Sequence, residues 1–337
     1  MNDFSASPNH ERDRPRAVDV LKLVDELAGG ATPGPDEDGD AGLIVAVSKG
    51  VRIFGPRLAP GTQVGRYEIR SLLGEGGMGV VYRAWDSQAG QEVALKVLSQ
   101  DAGSNPSALQ HFLGEARAIG RLNSPHVVTV YDIDRWNGHY YLVMELLSAG
   151  SAADRTREWG KLPWKEAFRI IGQAARGLAA AHATGTIHRD VKPENLMLSA
   201  EGIVKVVDFG LSQLMDAAEA PKATVSHAAQ TLGTPQYMSP EQFETNRVDE
   251  RADIYGLGAT LYRLLTGRFP YHDCRTVAEM KAAHVSRSPP DPLALAPALP
   301  TACRQIIAKA MAKQPVERYR TAEEMAGELE RAIAASD

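Results

Sequence analysis

The hydrophobic periodicity of the chain changes near residue 150, and this change constrains the fold more than any other feature. Before that point, short runs rich in β-branched and aromatic residues alternate with glycine-containing turns, which is typical of strands. The predicted strands are Tyr67–Leu73, Val80–Trp85, Glu92–Leu98, Val127–Ile133 and His139–Leu147. Beyond Ser151 the apolar spacing is helical, and it predicts helices over 164–182, 250–266, 275–285, 301–312 and 321–334. A small sheet unit is therefore expected to precede a larger helical unit.

One predicted helix interrupts the strand region. It opens at Asn105-Pro106, because proline is well tolerated at the first helical position. Helical spacing places on one face the side chains of Phe112, Glu115, Ile119 and Leu122. A glutamate on an apolar face needs a cationic partner. The two strands that follow are joined by Asn137-Gly138, a strong hairpin signal.

Charge, cysteine content and hydropathy exclude several classes of protein. The 337 residues carry a formal net charge of -5, which argues against a nucleic-acid partner. Cys274 and Cys303 stand alone, so neither a structural zinc site nor a disulfide framework is expected. The longest apolar run, Ala41–Val47, is far shorter than the roughly 18 residues of a membrane span. We expect a cytoplasmic protein, either a soluble form or part of a longer chain whose membrane anchor is missing.

Residues 1–63 differ in composition from the rest and predict a partly disordered N-terminal arm. Helical spacing of Val18, Leu21, Val24 and Leu27 predicts one short amphipathic helix within it. The acidic, turn-rich stretch 32–40 has little reason to pack. A tethered arm is the simpler interpretation, and a docking or autoregulatory role stays open.

The stretch Gly74-Glu75-Gly76-Gly77-Met78-Gly79 has the G-x-G-x-x-G pattern. Dinucleotide-binding folds use the same pattern but need a helix after it, whereas Val80–Trp85 is predicted to be a strand. The glycines are therefore expected at a hairpin tip, where main chain can approach phosphate oxygens closely. A plain glycine-rich turn is the alternative.

A single lysine, Lys96, ends the apolar strand segment Val93-Ala94-Leu95-Lys96. Such a lysine is usually a solvated edge residue. The other interpretation is that its ammonium reaches nucleotide phosphates and is held by a carboxylate, for which Glu115 is the candidate. We favour the pairing because it supplies the cation that Glu115 needs.

The strongest chemical signal is His188-Arg189-Asp190-Val191-Lys192-Pro193-Glu194-Asn195, followed 13 residues later by Asp208-Phe209-Gly210. These residues offer the parts that phosphoryl transfer needs. One carboxylate can accept a hydroxyl proton, a lysine can offset the charge of the moving phosphoryl group, and two oxygen ligands can hold Mg²⁺.

With these motifs in this order, from about Tyr67 to Ala332, the chain resembles the eukaryotic-like serine/threonine protein kinases of bacteria. Ser239-Pro240-Glu241 stands in the Ala-Pro-Glu place, with a serine instead of alanine. The resemblance implies an α+β, bilobal protein-kinase fold. A small β-rich N-lobe with one key helix and the hinge would span 64–147, and a larger α-helical C-lobe would span 148–334.

The resemblance also implies roles for individual residues. Asp190, Lys192 and Lys96 would be catalytic: Asp190 would orient and deprotonate the acceptor hydroxyl, Lys192 would lie by the γ-phosphate, and Lys96 would contact the α- and β-phosphates while paired with Glu115. The metal ligands would be Asn195 and Asp208. The implied nucleotide-binding residues are Leu73, Gly74, Glu75, Gly76, Gly77, Met78, Gly79, Val81, Ala94, Lys96, Glu115, Met144, Glu145, Leu147, Met197 and Asp208.

Within that set, Val81 would lie against adenine and Met144 would guard the back of the pocket. The main chain of Glu145–Leu147 would form the hinge that reads adenine. Acids are lacking in Ser148–Ala153, and Asp154 follows in an uncertain register, so the ribose contact stays open.

Structural roles are implied for a second set of residues. Glu241 would pair with Arg318, and Asp253 would anchor the catalytic loop, residues 188–195, although a plain helix N-terminal charge would also explain it. The scattered histidines His111, His126, His182 and His284 are interpreted as structural or surface residues.

The expected acceptor is serine or threonine. Lys192 is the form found in such kinases, and Gly233-Thr234-Pro235 resembles the loop in which a threonine hydroxyl bonds the catalytic aspartate and lysine. Arg189 suggests a switch by phosphorylation between Asp208 and Glu241. The candidate acceptors there are Thr224, Ser226 and Thr231.

The predicted activity is therefore transfer of the ATP γ-phosphate to serine and threonine hydroxyls of proteins, including the chain's own activation segment. Mg²⁺ is the expected ion, with Mn²⁺ as an alternative, and self-association for autophosphorylation stays open. Two rival classes are a catalytically inactive scaffold and a kinase of small metabolites. The first is disfavoured because Lys96, Asp190 and Asp208 are all present. The second is disfavoured by the peptide-docking character of 233–241.

Overall fold

The computed structural model describes residues 24, 57–76, 79–98, 109, 113–114, 116–117, 119–120, 122–209, 234–245 and 248–336. Several residues singled out above lie outside this set: Gly77, Met78, Phe112, His111, Glu115, Gly210, Thr224, Ser226, Thr231 and Gly233. Of the predicted N-terminal helix, only Val24 is described. It is helical and buried in the main hydrophobic core.

The small lobe is built on an antiparallel sheet. Among the described residues its strands are β1 (Gln63–Val64), β2 (Tyr67–Gly76), β3 (Gly79–Asp86), β4 (Gln91–Leu98), β5 (Val130–Trp136) and β6 (His139–Glu145). They lie in the order β1-β2-β3-β4-β6-β5. Residues 57–62, grouped with the arm above, join this lobe through main-chain hydrogen bonds such as Gly61 N–H to the Ile69 carbonyl.

The two faces of the sheet carry different side chains because strand side chains alternate. One face forms a small core of Val80, Tyr82, Ala84, Val93, Leu95, Val97, Tyr141 and Val143. The strand register places on the other face the side chains of Val81, Ala94, Lys96, Leu142 and Met144. This second face is directed toward the large lobe and is called the cleft face below. Two of its residues, Leu98 and Leu142, belong to the main hydrophobic core, which also contains the helical residues Leu113, Ala116 and Ile119.

The large lobe is mostly helical. Its α-helices are α1 (Ala152–Trp159), α2 (Trp164–His182), α3 (Pro240–Glu244), α4 (Arg251–Thr266), α5 (Val277–Ser286), α6 (Thr301–Ala310) and α7 (Ala322–Ala334). The strands β7 (Leu196–Leu198) and β8 (Val204–Val206) form an antiparallel pair after the catalytic loop. Helix α4 is buried along nearly its whole length, and α2 and α6 pack against it.

Most elements lie where the apolar spacing predicts them, and α2 has the predicted bounds. The prediction for Val127–Ile133 was wrong at its start, because β5 begins at Val130. The preceding residues hydrogen-bond instead to β8 of the large lobe, with Val128 N–H donating to the Val206 carbonyl. The short elements α1, α3, β7 and β8 were missed, since they have only three to eight residues each and their apolar spacing repeats too few times to be recognised.

No helix within the described ranges is both long and apolar enough to cross a membrane.

Candidate active site

The catalytic loop is held in an unusual main-chain conformation by Asp253. Arg189 has φ 63°, a left-handed value that a side chain makes costly. The Arg189 N–H donates to Asp253 Oδ1 at 2.6 Å, and the His188 N–H donates to Oδ2 at 2.9 Å. Because Asp253 is fully buried at the start of α4, the predicted anchoring role is confirmed.

The charge of Asp253 is compensated within the core. Burial by itself raises the pKa of a carboxyl, but the hydrogen bond from His182, at 2.7 Å, and the His188 N–H lower the pKa of Asp253 below its ordinary value. His126 and His284 also make internal contacts, to the Val204 carbonyl and the Tyr255 hydroxyl. The structural interpretation of these three histidines is therefore confirmed.

His188 links the catalytic loop to the strand that leads into Asp208. Its Nε2 lies 2.9 Å from the Val207 carbonyl, and its Nδ1 accepts from the Asp190 N–H at 3.2 Å. Together these contacts require the proton on Nε2. The buried ring of Phe209 packs on the imidazole with centroids 4.8 Å apart. Asp190 and Asp208 are thus set relative to one another through one side chain.

The carboxylate of Asp190 is surrounded by donors. Lys192 Nζ lies 2.5 Å from Oδ2, the Thr234 N–H donates to Oδ1 at 3.2 Å, and Asn195 Nδ2 is 3.4 Å from Oδ2. Lys192 Nζ also donates to the Thr234 hydroxyl at 2.9 Å. The expectation for Thr234 is confirmed for the lysine, but its contact with Asp190 is made by the main-chain N–H and not by the hydroxyl.

Lys96 crosses from the small lobe to the large lobe. Its Nζ lies 3.0 Å from Asp208 Oδ1, and its side chain is 11% exposed. The Lys96 ammonium lowers the pKa of Asp208, so this carboxylate is ionised at neutral pH. Asp208 also has a left-handed main chain, with φ 60°. Such strain at a non-glycine residue is concentrated at functional sites.

The residues predicted to hold a metal ion fit a hard divalent cation. Asn195 Nδ2 donates to the Asp190 carbonyl at 2.9 Å, which leaves the amide oxygen as the atom that can ligate. Asp208 contributes a partly exposed carboxylate. Mg²⁺ takes few protein oxygens and completes its shell with water and phosphate. Among the described residues, no three or more acidic, histidine or cysteine side chains form a cluster that could hold a metal ion.

The sheet register brings several of the residues predicted to bind the nucleotide onto one face. Val81 is paired with Lys96 and Ala94 with Met144, so these side chains share the cleft face. Leu73 on β2 is half exposed. Met197 lies on β7 of the large lobe, and Leu147 follows β6 and is packed against the main core.

The glycine-rich segment forms a hairpin tip, as predicted, because Gly76 is paired with Gly79 across β2 and β3. A Cβ on Gly79 would lie 2.0 Å from the Val97 carbonyl oxygen, so only glycine fits there. Gly74 has open space around it. The side chain of Glu75 forms an ion pair with Arg57 at 2.9 Å, so any contact of Glu75 with a nucleotide would be made by its main chain.

The carboxylate of Asp154 is bound within helix α1. Its side chain caps helix α1, accepting from the Ser151 N–H at 2.9 Å and the Ser151 hydroxyl at 2.7 Å, and it also binds Arg157. These hydrogen bonds from Ser151 lower the pKa of Asp154. These contacts give Asp154 a structural role at the start of helix α1.

Below the catalytic loop, Arg318 is fully buried and binds Glu241 through two parallel hydrogen bonds of 2.6 and 2.7 Å. The predicted pair is confirmed. Such a planar, bidentate geometry is specific to arginine.

Sequence reasoning missed Gln242. Its Nε2 donates to the Arg189 carbonyl at 2.7 Å, while its Oε1 accepts from the Ser239 N–H and hydroxyl, both at 3.0 Å. The signal was available, because Ser239 and Gln242 have the spacing of a capping box. The serine that replaces alanine before Pro-Glu therefore orients a glutamine that supports the catalytic loop.

Comparison with known proteins agrees with this geometry. The model of the protein kinase domain matches residues 67–328. Serine/threonine-protein kinase PknE of Mycobacterium tuberculosis is 38% identical over 277 residues, which cover 82% of this chain and 48% of PknE. Serine/threonine-protein kinase PrkC of Bacillus subtilis is 35% identical over 269 residues, 80% of this chain and 41% of PrkC. The chain spans less than half the length of these relatives.

A solved structure, the kinase domain of PknI from Mycobacterium tuberculosis, matches with a TM-score of 0.63 at 26% identity. The match covers 82% of this chain and 99% of that domain. The family match spans most of the residues that form both lobes and the cleft between them. The chain belongs to the protein kinase family and resembles its bacterial serine/threonine members.

Proposed function

We propose that the chain is a Mg-ATP-dependent serine/threonine protein kinase whose substrates include its own activation segment. The proposal depends on one observation: Lys96 of the small lobe contacts Asp208, and His188 links the strand before Asp208 to the loop in which Lys192 and Asn195 contact Asp190. Two further supports are the kinase names of the relatives and the Lys192–Thr234 contact, which matches the loop expected for serine/threonine acceptors.

Asp190 is the residue that would accept the proton of the acceptor hydroxyl. Its position is set by its contacts with Lys192, Thr234 and Asn195, so it can align the hydroxyl before transfer. The hydroxyl oxygen then bonds to the γ-phosphorus, the bond from that phosphorus to the β–γ bridging oxygen breaks, and ADP leaves. The proton passes to Asp190 Oδ.

The lysines would supply positive charge where phosphate charge is concentrated. Lys192 lies beside Asp190, where the γ-phosphoryl moves, and Lys96 lies beside Asp208, where the α- and β-phosphates would bind. Asn195 and Asp208 would hold the divalent ion, which neutralises charge on the phosphate oxygens when bound. Electrostatic preorganisation of this kind supplies most of the rate enhancement in such sites.

The identity of the ion and the cellular setting are part of the proposal. Oxygen ligands and phosphates favour Mg²⁺, and Mn²⁺ accepts a similar shell. Cys274 and Cys303 are free thiols, which favours a reducing, cytoplasmic setting. Autophosphorylation between two copies would require transient self-association.

An inactive scaffold is disfavoured because the described residues bring the complete set of acid, base and metal-binding side chains together. A kinase of small metabolites is disfavoured because residues 234–245 form an ordered segment against the catalytic loop, with Tyr237 buried and Gln242 bound to Arg189. That segment can present a peptide hydroxyl to Asp190.

The test is to incubate the full chain with Mg-ATP and to map phosphorylated residues by mass spectrometry. We expect phosphoserine or phosphothreonine within 210–233, with Thr224, Ser226 and Thr231 as candidates. The matched control is Asp190→Asn, which should bind ATP with similar affinity and lose transfer by about a thousandfold. Equal phosphorylation of the wild type and the Asp190→Asn variant would exclude the proposed role of Asp190.

A further inference from the structure

An ion pair joins the hinge to the strand that leads into Asp208. Glu145 ends β6 and starts the hinge segment, and its Oε1 lies 2.7 Å from Nζ of Lys205. Lys205 lies in β8, three positions before Asp208. The pair therefore connects the adenine end of the site to its phosphate end by a route that does not pass through the nucleotide.

The same carboxylate oxygen has a second donor. The Thr129 N–H donates to Glu145 Oε1 at 2.6 Å, and the Glu145 N–H donates to the Thr129 carbonyl at 2.9 Å. The main chain beside Thr129 is bonded to β8, because Val128 N–H donates to the Val206 carbonyl and Val206 N–H donates to the His126 carbonyl. Three chain segments thus meet around one carboxylate.

The pair is more protected than an ordinary surface ion pair. The side chain of Lys205 is 12% exposed and that of Glu145 is 18% exposed. Exposed pairs contribute little to stability, whereas removing one partner of a buried pair leaves the other charge without compensation. Among the described residues, loss of the Lys205 ammonium would leave the Thr129 N–H as the donor to the Glu145 carboxylate.

The ion pair lies at the wall of a cavity. Glu145 and Lys205 both line a cavity of about 680 Å³ together with Ile119, Val127 and Ile203. Apart from Glu145, none of the described lining residues is assigned to the nucleotide. Water in this cavity can solvate part of a released carboxylate, so a moderate effect on binding is expected and not a collapse of the lobe.

We propose that Lys205 is a positioning residue for nucleotide binding. Through Glu145 it holds the hinge main chain in the arrangement that receives adenine. The contact also keeps the hinge in a fixed position relative to Asp208. This rests on the proposed function, which assigns the hinge to ATP. Without the ammonium, the hinge would populate the competent arrangement for a smaller fraction of the time, and the apparent affinity for ATP would fall by that fraction.

The experiment compares Lys205→Met with the wild-type full chain. Mg-ATP affinity is measured by displacement of a fluorescent ATP analogue, and transfer is measured as the rate of phosphate incorporation against ATP concentration. We expect Kd and KM for Mg-ATP to rise about fivefold, while kcat changes by less than about twofold. Lys205→Arg should retain near wild-type values, because it restores the cation. Lys161→Met, which removes an exposed lysine, is the matched control.

A double-mutant cycle with Glu145→Gln tests whether Lys205 acts through Glu145. In the Glu145→Gln background, Lys205→Met should add little, because the charge that it balances is already absent. Fully additive effects, an unchanged KM, or a KM that falls in Lys205→Met would each overturn the proposal. Failure of the wild type to bind Mg-ATP or to transfer phosphate would instead overturn the proposed function, so the two failures are distinguishable.

Discussion

Asp253 holds Arg189 in a left-handed main-chain conformation by accepting its N–H at 2.6 Å. The two residues are 64 positions apart, and Asp253 belongs to helix α4, which is buried along nearly its whole length. The catalytic loop is therefore supported by the core itself, and the position of Asp190 depends on a carboxylate that touches no substrate.

Replacing Asp253 by asparagine should weaken this support. In asparagine an NH₂ group replaces one of the two carboxylate oxygens. A donor that binds this oxygen in the wild type would then face another donor, so we expect the free energy of unfolding to fall by about 2 kcal/mol. Because the altered loop carries Asp190, kcat should fall more than the affinity for Mg-ATP. Denaturant unfolding and transfer kinetics measure the two effects. Asp249→Asn, at an exposed site, is the control, and a wild-type kcat in Asp253→Asn would contradict the anchoring role.

Thr234 should affect transfer and not nucleotide binding. Thr234→Val removes the hydroxyl that accepts from Lys192 and keeps the N–H that donates to Asp190. Lys192 is then less well oriented, and we expect kcat to fall about tenfold with an unchanged Kd for Mg-ATP. Thr234→Ser retains the hydroxyl and should stay close to wild type. If serine and valine gave equal losses, the hydroxyl contact would have no catalytic importance.

Two glycines of the hairpin tip should differ in their effect on stability. A Cβ at Gly79 would meet the Val97 carbonyl, whereas one at Gly74 would meet nothing within 4 Å. Gly79→Ala is expected to lower the free energy of unfolding by about 1–3 kcal/mol through overpacking. Gly74→Ala should leave the thermal unfolding midpoint near that of the wild type. The reverse ranking would show that the close approach of β3 and β4 at Gly79 has been misassigned.

Lys313 should make stability depend on pH in the alkaline range. Burial, together with the charges of Arg318 and Arg287, lowers the pKa of Lys313 to about 8. Its ammonium donates to the Tyr271 hydroxyl and the His284 carbonyl, both at 2.8 Å, and lies 3.4 Å from the Tyr255 hydroxyl. Burial lowers the pKa of His284 to about 3, so that imidazole is neutral in this range.

Above pH 8 the folded chain loses the Lys313 proton while the unfolded chain keeps it, up to the ordinary lysine value of 10.5. The unfolded state then binds more protons, and this contribution to stability rises with pH, by at most about 1.4 kcal/mol per pH unit. Burial raises the pKa values of Tyr255 and Tyr271. These two groups make stability fall with rising pH, but only at pH values above the range in which Lys313 acts. Denaturant unfolding between pH 8 and 9.5 should show a steeper rise for the wild type than for Lys313→Met. Equal slopes would mean that the ammonium is not buried as described.

The fold class followed from the sequence because both lobes carry regular patterns. Runs rich in β-branched and aromatic residues between glycine-containing turns predicted the strands from β2 to β4, and the apolar spacing of 164–182 predicted α2 with its observed bounds. The start of β5 could not be predicted in this way, since residues 126–129 are apolar enough for a strand but pair with β8, about 78 positions away. Pairing between distant segments leaves no mark on the spacing of either one.

In the candidate site, too, some features could be predicted from the sequence and others depend on tertiary packing. The sequence by itself determined which chemical groups are present, because Asp190, Lys192 and Asn195 lie within one short block and the glycine-rich turn lies between two strands. Only the tertiary structure decided the partners: Lys96 with Asp208, Gln242 with the Arg189 carbonyl, and Lys205 with Glu145. Residue types and local spacing are properties of neighbouring residues, whereas these contacts depend on how the small lobe, the catalytic loop and helix α4 pack together.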